Sequence, residues 1–235
     1  MADRGVPATE DAARRALIDA CLQMNALGIN QGKAGNASLR WDRGGAPGLL
    51  ITPSALAYDA MGPDDIVWLS LATAPGAHGE PAPLHADGTR PPSSEWRMHR
   101  DVYAARAEVA AVVHSHAAFA STLACTERVQ RDGIPAFHYM IALFGGADVR
   151  CARYATFGTQ ALSDHALHAL QARLACLLAN HGLLAVGDSL ERALALALEL
   201  ETLSRMYWQA LQLGEPVVLD AQEMQRVIAR FADYG

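Results

Sequence analysis

The stretch that most constrains this chain is residues 107–116, AEVAAVVHSH, which is mostly apolar and ends in two histidines. A short apolar run bounded by polar residues is typical of a buried β-strand. Successive side chains on a strand point to opposite faces, so residues two apart share a face. His114 and His116 should therefore present two imidazoles side by side at a strand end, where one cation could bind both.

Two further residues are placed to complete a metal site. His181 lies at an Asn-His-Gly break between two apolar runs that are predicted to be strands. Glu95 follows a Pro-Pro-Ser-Ser sequence, which is a typical helix start with Ser93 or Ser94 as the N-cap, and the helix is predicted to continue through Ala107. The helix dipole favours an ionised carboxylate in the first turn, where Glu95 could bind a metal or accept a proton.

Histidines spaced in this way are also common as packing or surface residues. A lone His-x-His pair is a weak signal, and the argument gains strength only because each candidate lies at the end of a predicted element. Spacing alone therefore leaves a metal site and a purely structural role equally open.

Composition bounds the class of protein. The chain has 235 residues, 51% hydrophobic and 19% charged, which fits one large domain, residues 1–235, with a sizeable core. Its net charge of −6 and scattered basic residues argue against a nucleic-acid binder. No apolar run reaches the roughly 18 residues that span a bilayer, and the N-terminus lacks a signal-peptide core. Four widely spaced cysteines favour reduced thiols in a cytoplasmic protein.

Periodicity predicts alternating helices and strands without a regular βαβ repeat. Residues 1–8 are expected to be flexible, and an amphipathic helix should run from Thr9 to about Gly28. Residues 73–90 are predicted to form a hairpin or surface loop. This pattern predicts an α/β fold with a mixed sheet. The other predicted strands are 37–41, 49–52, 64–71, 134–141 and 148–152, and the other predicted helices are 94–107, 117–128, 159–174 and 190–213.

Three motifs resemble the class II aldolase/adducin family: PSSEWRMH at 92–99, HSH at 114–116 and NHGL at 180–183. The resemblance extends from about Arg14 to Gly235, and within the family it is strongest to the L-fuculose-1-phosphate aldolases. It implies a single domain with a central mixed, mainly antiparallel sheet flanked by helices. It also implies a C4 homotetramer with sites between subunits. Other matching pieces are GNASLR at 35–40, LITP at 50–53, IPAFHYMI at 134–141, YATFG at 154–158 and the tail at 223–235.

The resemblance assigns roles at the site. His114, His116 and His181 would hold Zn2+, with Mn2+ or Co2+ as alternatives, and Glu95 would be the fourth ligand. When substrate oxygens bind the metal, Glu95 would leave it and move the proton on the carbon next to the carbonyl. Tyr139 would come from a neighbouring subunit and handle the proton on the aldehyde oxygen.

The resemblance also implies a phosphate site and an aldehyde pocket. One departure is the pair Ser54-Ala55, where fuculose-phosphate aldolases have Thr-Gly, because the alanine Cβ restricts φ and the approach of a phosphate. Lys33 is the only lysine, which suits a metal-dependent reaction rather than a Schiff base. The phosphate residues would be Gly35, Asn36, Ser54, Ser93 and Ser94, and the aldehyde pocket would contain Phe157, Phe231 and Tyr234.

The implied reaction is the reversible cleavage of a ketose 1-phosphate, similar to L-fuculose 1-phosphate, into dihydroxyacetone phosphate and an aldehyde. The expected partner is thus a phosphorylated sugar, with no nucleic acid and no membrane. The same site could instead serve a 3-oxo-acid phosphate decarboxylase, a pentulose-phosphate epimerase or a methylthioribulose-phosphate dehydratase. A non-catalytic adducin-like interaction module would be expected to have broken metal ligands, whereas all four candidates are present.

Overall fold

The computed structural model describes residues 7–76, 81–83 and 85–232. Of the segment predicted to be flexible, residues 1–6 lie outside this description, and so does Tyr234 of the predicted aldehyde pocket.

A mixed sheet of eight strands forms the centre, in the order β10-β11-β12-β7-β1-β2-β3-β6. Among the described strands, β10 and β11 form its one parallel pair, and the other neighbours are antiparallel, as predicted. Two small sheets join β4 to β5 and β8 to β9. The strands are β1 Asn36–Arg40, β2 Gly48–Ile51, β3 Val67–Ser70, β4 Thr73–Pro75, β5 Pro81–Pro83, β6 Ala86–Asp87, β7 Ala111–Ser115, β8 Ile134–Pro135, β9 Asp148–Val149, β10 Cys151–Ala152, β11 Ala175–Leu178 and β12 Gly182–Gly187.

Helices flank the sheet, and two begin at the predicted caps. The Thr9 hydroxyl oxygen accepts a hydrogen bond from the Ala12 N–H at 3.2 Å, and that of Ser189 accepts one from the Arg192 N–H at 3.1 Å. Within the described residues, no helix combines the length and apolar character needed to cross a membrane. The helices are α1 Glu10–Ala26, α2 Trp96–Ala105, α3 Ala118–Ala124, α4 Glu127–Asp132, α5 Gln160–Ala169, α6 Leu190–Leu213 and α7 Ala221–Ala232.

Several predicted boundaries were wrong because local side-chain and backbone hydrogen bonds override periodicity. The predicted helix 117–128 is two helices, because Thr126 caps α4 by accepting from the Val129 N–H. In the predicted strand 134–141, the His138 side chain accepts from the Met140 N–H and starts a 3-10 helix, Tyr139–Phe144. The predicted strand 64–71 begins instead with a 3-10 turn, Pro63–Asp65.

Two other helices are shorter than predicted. The helix expected over 159–174 ends at Ala169, and Ala172 beyond it has a left-handed φ of 53°. The helix expected to reach Ala107 ends at Ala105, and β7 begins only at Ala111.

Strand β7 separates two apolar cores, one on each side of the sheet. Ala111 and Val113 pack into the core that contains α1 and α6, whereas Val112 packs against residues of α2 and α5. This alternation fixes the faces on which the side chains of β7 lie. His114 follows directly, at a central position of the sheet between Asn36 of β1 and Leu184 of β12.

Candidate metal centre and active site

Three histidines meet at the end of β7. The Nε2 atoms of His114 and His116 lie 3.1 Å apart, and one ligand atom from each of the three histidines lies within 4.8 Å of the others. His181 reaches them because its turn joins β11 to β12, and β12 pairs with β7. Strand pairing thus brings together the residues that the sequence predicted as ligands.

The turn that carries His181 depends on two unusual backbone positions. Asn180 has a left-handed φ of 53°, and its side-chain oxygen accepts a 2.8 Å hydrogen bond from Gln130. Gly182 passes so close to β7 that a Cβ would collide with the carbonyl oxygen of Ser115 and lie 3.2 Å from the ring of His116. Glycine is therefore required next to this histidine.

Glu95 supplies a carboxylate to the histidine cluster. Its Oε2 lies 3.1 Å from Nε2 of His114, and its Oε1 lies 3.3 Å from Nε2 of His181. The side chain is buried, with 5% of the residue exposed, and the Asn36 amide donates to Oε2 at 2.9 Å. Oε1 is buried without a hydrogen-bond partner. A cation would satisfy this oxygen.

The donor set fits a divalent metal ion. The Nδ1–H of His114 donates to the Leu183 carbonyl at 2.8 Å, which leaves Nε2 facing the cluster. Metal-binding histidines commonly have such a partner on the other ring nitrogen. Three imidazole nitrogens and one carboxylate oxygen are ligands that zinc accepts in a tetrahedral site. His114, His116, His181 and Glu95 would hold the ion.

The local electrostatics favour the cation-binding protonation states of Glu95, His116 and His181, and the protonated state of His114. Burial opposes ionisation of Glu95, but the charge of His114 and the hydrogen bonds outweigh it and hold the pKa of the carboxyl below its usual range. Burial and the charge of His114 lower the pKa values of His116 and His181 to about 4. Burial also disfavours the charged form of His114, but the interaction with Glu95 outweighs burial and raises the pKa of His114. At neutral pH the site therefore offers a carboxylate and two neutral imidazoles.

Helix α2 begins later than predicted. Glu95 occupies the N-cap position and has no capping hydrogen bond from its side chain. Ser93 satisfies two N–H groups instead, since its hydroxyl accepts from Glu95 at 3.3 Å and its carbonyl accepts from Trp96 at 3.0 Å. The N-cap prediction for Ser93 or Ser94 was wrong by one or two residues. The helix start consequently offers fewer free donors to a phosphate than the sequence suggested.

The residues predicted to bind phosphate lie in neighbouring segments. The Ser54 N–H donates to the Pro91 carbonyl at 3.0 Å, and the Ser93 N–H donates to the Thr52 carbonyl at 3.0 Å. These two segments are therefore joined, and these two backbone donors already have partners. On the other side, Lys33 donates to the Ala55 carbonyl at 3.0 Å. The loop of Lys33 leads into Gly35 and Asn36.

Gly35 is required by close packing against β7. A Cβ there would lie 2.5 Å from the carbonyl oxygen of His114. The Tyr58 hydroxyl donates to the Gly35 carbonyl at 2.5 Å and fixes this part of the loop.

A cleft of about 270 Å³ opens onto the histidine cluster. Phe157, predicted to line the aldehyde pocket, lies there with 65% of its surface exposed. Tyr154 also lines the cleft and was missed as a site residue, although it begins a segment that matches the family. Ser94 is the predicted phosphate residue that faces this cleft. The lining residues are Ala34, Ser94, Glu95, His116, Tyr154, Ala155, Phe157, Asn180 and His181.

Tyr139 and Phe231 lie together in a second cavity, of about 550 Å³. Their rings are parallel within 9°, with centroids 6.2 Å apart. Phe231 belongs to helix α7, so this part of the predicted tail is helical and packs beside residues 139–144. Neither residue lines the histidine cleft within the described part of the chain. This placement is the one expected if Tyr139 serves another subunit.

A buried hydrogen-bond chain behind Glu95 was also missed. Nε2 of His99 lies 2.5 Å from Oδ1 of Asn36, and Nδ1 lies 2.7 Å from the Ser38 hydroxyl. The Ser38 hydroxyl lies 2.8 Å from that of Tyr103. Burial and the charge of His114 lower the pKa of His99 to about 3, so its ring is neutral. The sequence contained one signal for this chain: His99 follows Glu95 by four residues, a spacing that places two side chains on the same face of a helix.

Comparison with known proteins agrees with this geometry. Residues 15–208 match the Class II Aldolase and Adducin N-terminal domain. The chain is 48% identical over 230 residues to the 5-methylthioribulose-1-phosphate/5-deoxyribulose-1-phosphate aldolase of Rhodospirillum rubrum, covering 98% of this chain and 96% of that protein. It is 42% identical over 222 residues to the L-fuculose phosphate aldolase of Escherichia coli K12, covering 94% of each.

A solved structure of L-fuculose 1-phosphate aldolase superimposes with a TM-score of 0.82 and 35% identity, covering 98% of this chain and 99% of that chain. Class II aldolases typically depend on a divalent metal ion, and the histidine triad found here could bind one. The chain therefore belongs to the class II aldolase and adducin family, in which it is an aldolase and hence a lyase.

Proposed function

We propose that this protein reversibly cleaves a ketose 1-phosphate into dihydroxyacetone phosphate and an aldehyde. The observation that carries the proposal is the Glu95 carboxylate, which is buried and in contact with His114 and His181 at a cleft of suitable size. A carboxylate in this position can move a proton at a carbon atom of a substrate held beside it.

The three histidines and Glu95 would hold Zn2+, or Mn2+ or Co2+ in its place. The bound ion supplies a Lewis acid that stabilises the negative charge developing next to the substrate carbonyl. No Schiff-base lysine is needed, and Lys33, the single lysine, donates to the Ala55 carbonyl near the predicted phosphate site.

Glu95 and Tyr139 divide the proton transfers between them. In the direction of synthesis, Glu95 removes a proton from the hydroxymethyl carbon of dihydroxyacetone phosphate, and the new carbon–carbon bond forms from that carbon to the aldehyde. Tyr139 of a neighbouring subunit gives its proton to the aldehyde oxygen. In cleavage, Tyr139 takes the hydroxyl proton back and Glu95 returns its proton to carbon.

The substrate phosphate would be bound by the segments that contain Gly35, Asn36, Ser54, Ser93 and Ser94. Ser94 lines the cleft. Lys33 adds a positive charge at the edge of this group of residues.

The aldehyde portion of the substrate should have an apolar end. Tyr154 and Phe157 present exposed aromatic surface to the cleft, 60% and 65% exposed respectively, and Phe231 and Tyr234 are proposed to complete the pocket from a neighbouring subunit. The relatives named above act, by their names, on sugars that end in a methyl or methylthio group. We therefore propose 5-deoxypentulose, 5-methylthiopentulose or 6-deoxyhexulose 1-phosphates as the substrate class.

The protein is proposed to act as a cytoplasmic homotetramer. The location of Tyr139 and Phe231 outside their own histidine cleft supports sites shared between subunits. The cysteines Cys21, Cys125, Cys151 and Cys176 are all free thiols, which supports a reducing compartment.

A cleavage screen tests the proposal. The purified, metal-loaded protein is given ketose 1-phosphates with methyl, methylthiomethyl or hydroxymethyl ends, and dihydroxyacetone phosphate is detected by a coupled dehydrogenase. The highest kcat/KM is expected for the methyl or methylthiomethyl substrates. The free ketose would yield dihydroxyacetone without a phosphate, so its cleavage is followed by the aldehyde released, and equal activity on it would contradict the phosphate site. Preference for a 3-oxo-acid phosphate, with release of carbon dioxide, would identify a decarboxylase instead.

A further inference from the structure

The hydrogen-bond chain behind Glu95 joins the active site to the core. It runs from the Glu95 carboxylate to Asn36, His99, Ser38 and Tyr103. Asn36 is 4% exposed, Tyr103 is 1% exposed, and His99 and Ser38 are fully buried. Bulk water therefore cannot replace the partners along this chain.

The carboxylate sets the direction of every bond in the chain. The NH₂ group of Asn36 donates to Oε2 of Glu95 at 2.9 Å, so the carbonyl oxygen of the same amide faces Nε2 of His99, 2.5 Å away. That oxygen can only accept, so the neutral ring of His99 must carry its proton on Nε2. Nδ1 then accepts from the Ser38 hydroxyl, whose oxygen accepts from Tyr103.

The same hydrogen-bond chain also restrains Glu95 from the side of the core. The Nε2–H of His99 is the partner that holds the Asn36 oxygen away from the carboxylate. Without this donor, the buried amide oxygen loses its partner and the amide is free to rotate by 180°. The oxygen of a rotated amide would face the carboxylate, and the two acceptors would repel each other.

We propose that His99 is a positioning residue that acts through Asn36 to orient the Glu95 carboxylate toward the three histidines. The inference rests on the proposed role of Glu95 in the metal centre. Since Glu95 would be a metal ligand in the free enzyme, His99 contributes to metal affinity without touching the ion. Partners of this kind typically contribute roughly 10- to 100-fold in metal affinity or activity.

Two substitutions of His99 separate positioning from packing. His99→Gln places an amide where the ring was, and its NH₂ can reach Asn36. His99→Asn is shorter, so it retains polarity near Ser38 but does not reach Asn36. Both variants introduce a buried amide, and only one of them keeps the donor. If His99 served only to fill space in the core, the two variants would change the zinc affinity by similar amounts.

A matched control lies at the contact between helices α2 and α5. The Ser163 hydroxyl of α5 donates to Asp101 of α2 at 2.6 Å, and Ser163 is fully buried. Ser163→Ala removes a buried hydrogen bond from α2 without touching the chain that leads to Glu95.

The experiment measures zinc affinity of chelator-treated full-length protein by competition with a chromophoric chelator. His99→Asn is expected to lower the affinity roughly 10- to 100-fold, whereas His99→Gln and Ser163→Ala should stay within a few-fold of the unmodified protein. If His99→Asn does not fold, His99→Leu is measured alone and together with Asn36→Leu. It should lower the affinity on its own but add no further loss to that of Asn36→Leu, and a full additional loss in the double variant would overturn the positioning role.

The outcomes distinguish this inference from the proposed function. Equal zinc affinity of His99→Asn and His99→Gln would overturn the positioning role even if the protein is an active aldolase. The expected affinities in a protein that cleaves no ketose phosphate would support the positioning role and overturn the proposed reaction. A protein that binds no divalent metal would overturn both. In an active enzyme, kcat of His99→Asn should fall more than KM changes.

Discussion

Asn36 donates a 2.9 Å hydrogen bond to Oε2 of Glu95, which joins the first residue of β1 to the residue before α2. The bond commits one carboxylate oxygen to the protein. The other, Oε1, faces His181 without a hydrogen-bond partner. Glu95 thus has one oxygen that fixes its orientation and one that is available to a cation or to a proton of the substrate.

The metal centre is tested by removing one imidazole. The unmodified protein is expected to bind one equivalent of zinc per chain, and His116→Ala should bind clearly less than one after dialysis, because only two imidazoles and one carboxylate remain to hold the ion. Elemental analysis measures this ratio. His168→Ala, which changes an exposed histidine, is the control. A full equivalent of zinc in His116→Ala would show that the ligand set is wrong.

The role of Glu95 is tested by an isosteric change. Glu95→Gln should lower kcat roughly 10²- to 10⁴-fold, since the amide cannot exchange the proton. Circular dichroism and thermal unfolding should show a folded protein. The control is Glu201→Gln, another partly buried carboxylate, which accepts backbone hydrogen bonds from Phe119 and Ala120. It should lower stability but leave kcat within a few-fold. Near-normal turnover of Glu95→Gln would remove Glu95 from the mechanism.

Stability of the metal-free protein should depend on pH between 6.5 and 4.5. The pKa values of His116 and His181 are lowered to about 4 and that of His99 to about 3, so the unfolded chain binds more protons in this window. The free energy of unfolding should therefore decrease as the pH falls.

Two other groups in the cluster do not oppose this trend. The raised pKa of His114 stabilises the folded protein, and this stabilisation is fully present below pH 6.5. The lowered pKa of Glu95 also stabilises the folded protein, and that stabilisation is fully present above pH 4.5. Urea unfolding with chelator present, at both pH values, measures the difference. His116→Asn should reduce it and His168→Asn should not. A midpoint that is the same at both pH values would contradict the neutral state of the buried histidines.

Ala55 is expected to be strained. Its φ of 59° is left-handed, a conformation that costs an alanine about 1–2 kcal/mol. Ala55→Gly should therefore raise the free energy of unfolding by about 1 kcal/mol after the added flexibility of the unfolded chain is counted. The same change should lower KM for a phosphorylated substrate, because a phosphate can approach the backbone more closely.

A nearby alanine provides the control for Ala55. Ala57 has a φ of −67°, so Ala57→Gly should lower the free energy of unfolding by about 0.4–1 kcal/mol. Urea unfolding of both variants gives the comparison. Destabilisation by both glycines would argue against strain at Ala55.

The proposed sharing of sites between subunits predicts complementation between inactive variants. Tyr139→Phe and Glu95→Gln should each be nearly inactive, but refolding an equal mixture should restore about a quarter of the sites by random pairing of subunits. Recovered kcat per chain measures this fraction. Mixing without refolding is the control. If the mixture is no more active than its components, Tyr139 does not act across a subunit boundary.

The sequence predicted that His114, His116 and His181 would lie at strand ends, because strand periodicity and chain breaks are local signals. His114 and His116 lie at the end of the predicted strand, and His181 lies at the predicted break between β11 and β12. The long helix α6 was also predicted at its observed bounds, since its cap and its apolar pattern agree.

Features that depend on tertiary contacts could not be predicted in the same way. The role of His99 is visible only when β1 places Asn36 and Ser38 against α2. The late start of α2 depends on hydrogen bonds of Ser93 that periodicity does not report. Likewise, the segment with Phe231 is a packed helix because residues 139–144 provide a surface for it.

The central position of β7 has a consequence for the order of folding. Both of its edges are paired, with β1 on one side and β12 on the other, and the bond from His114 to Leu183 spans 69 residues. During synthesis, a chain that ends within β11 contains the His-x-His pair but lacks His181. Binding of a metal ion by all three histidines would then have to wait for the slow, long-range closure of the sheet. In refolding experiments, zinc binding should therefore follow helix formation and mark the moment at which β12 joins β7.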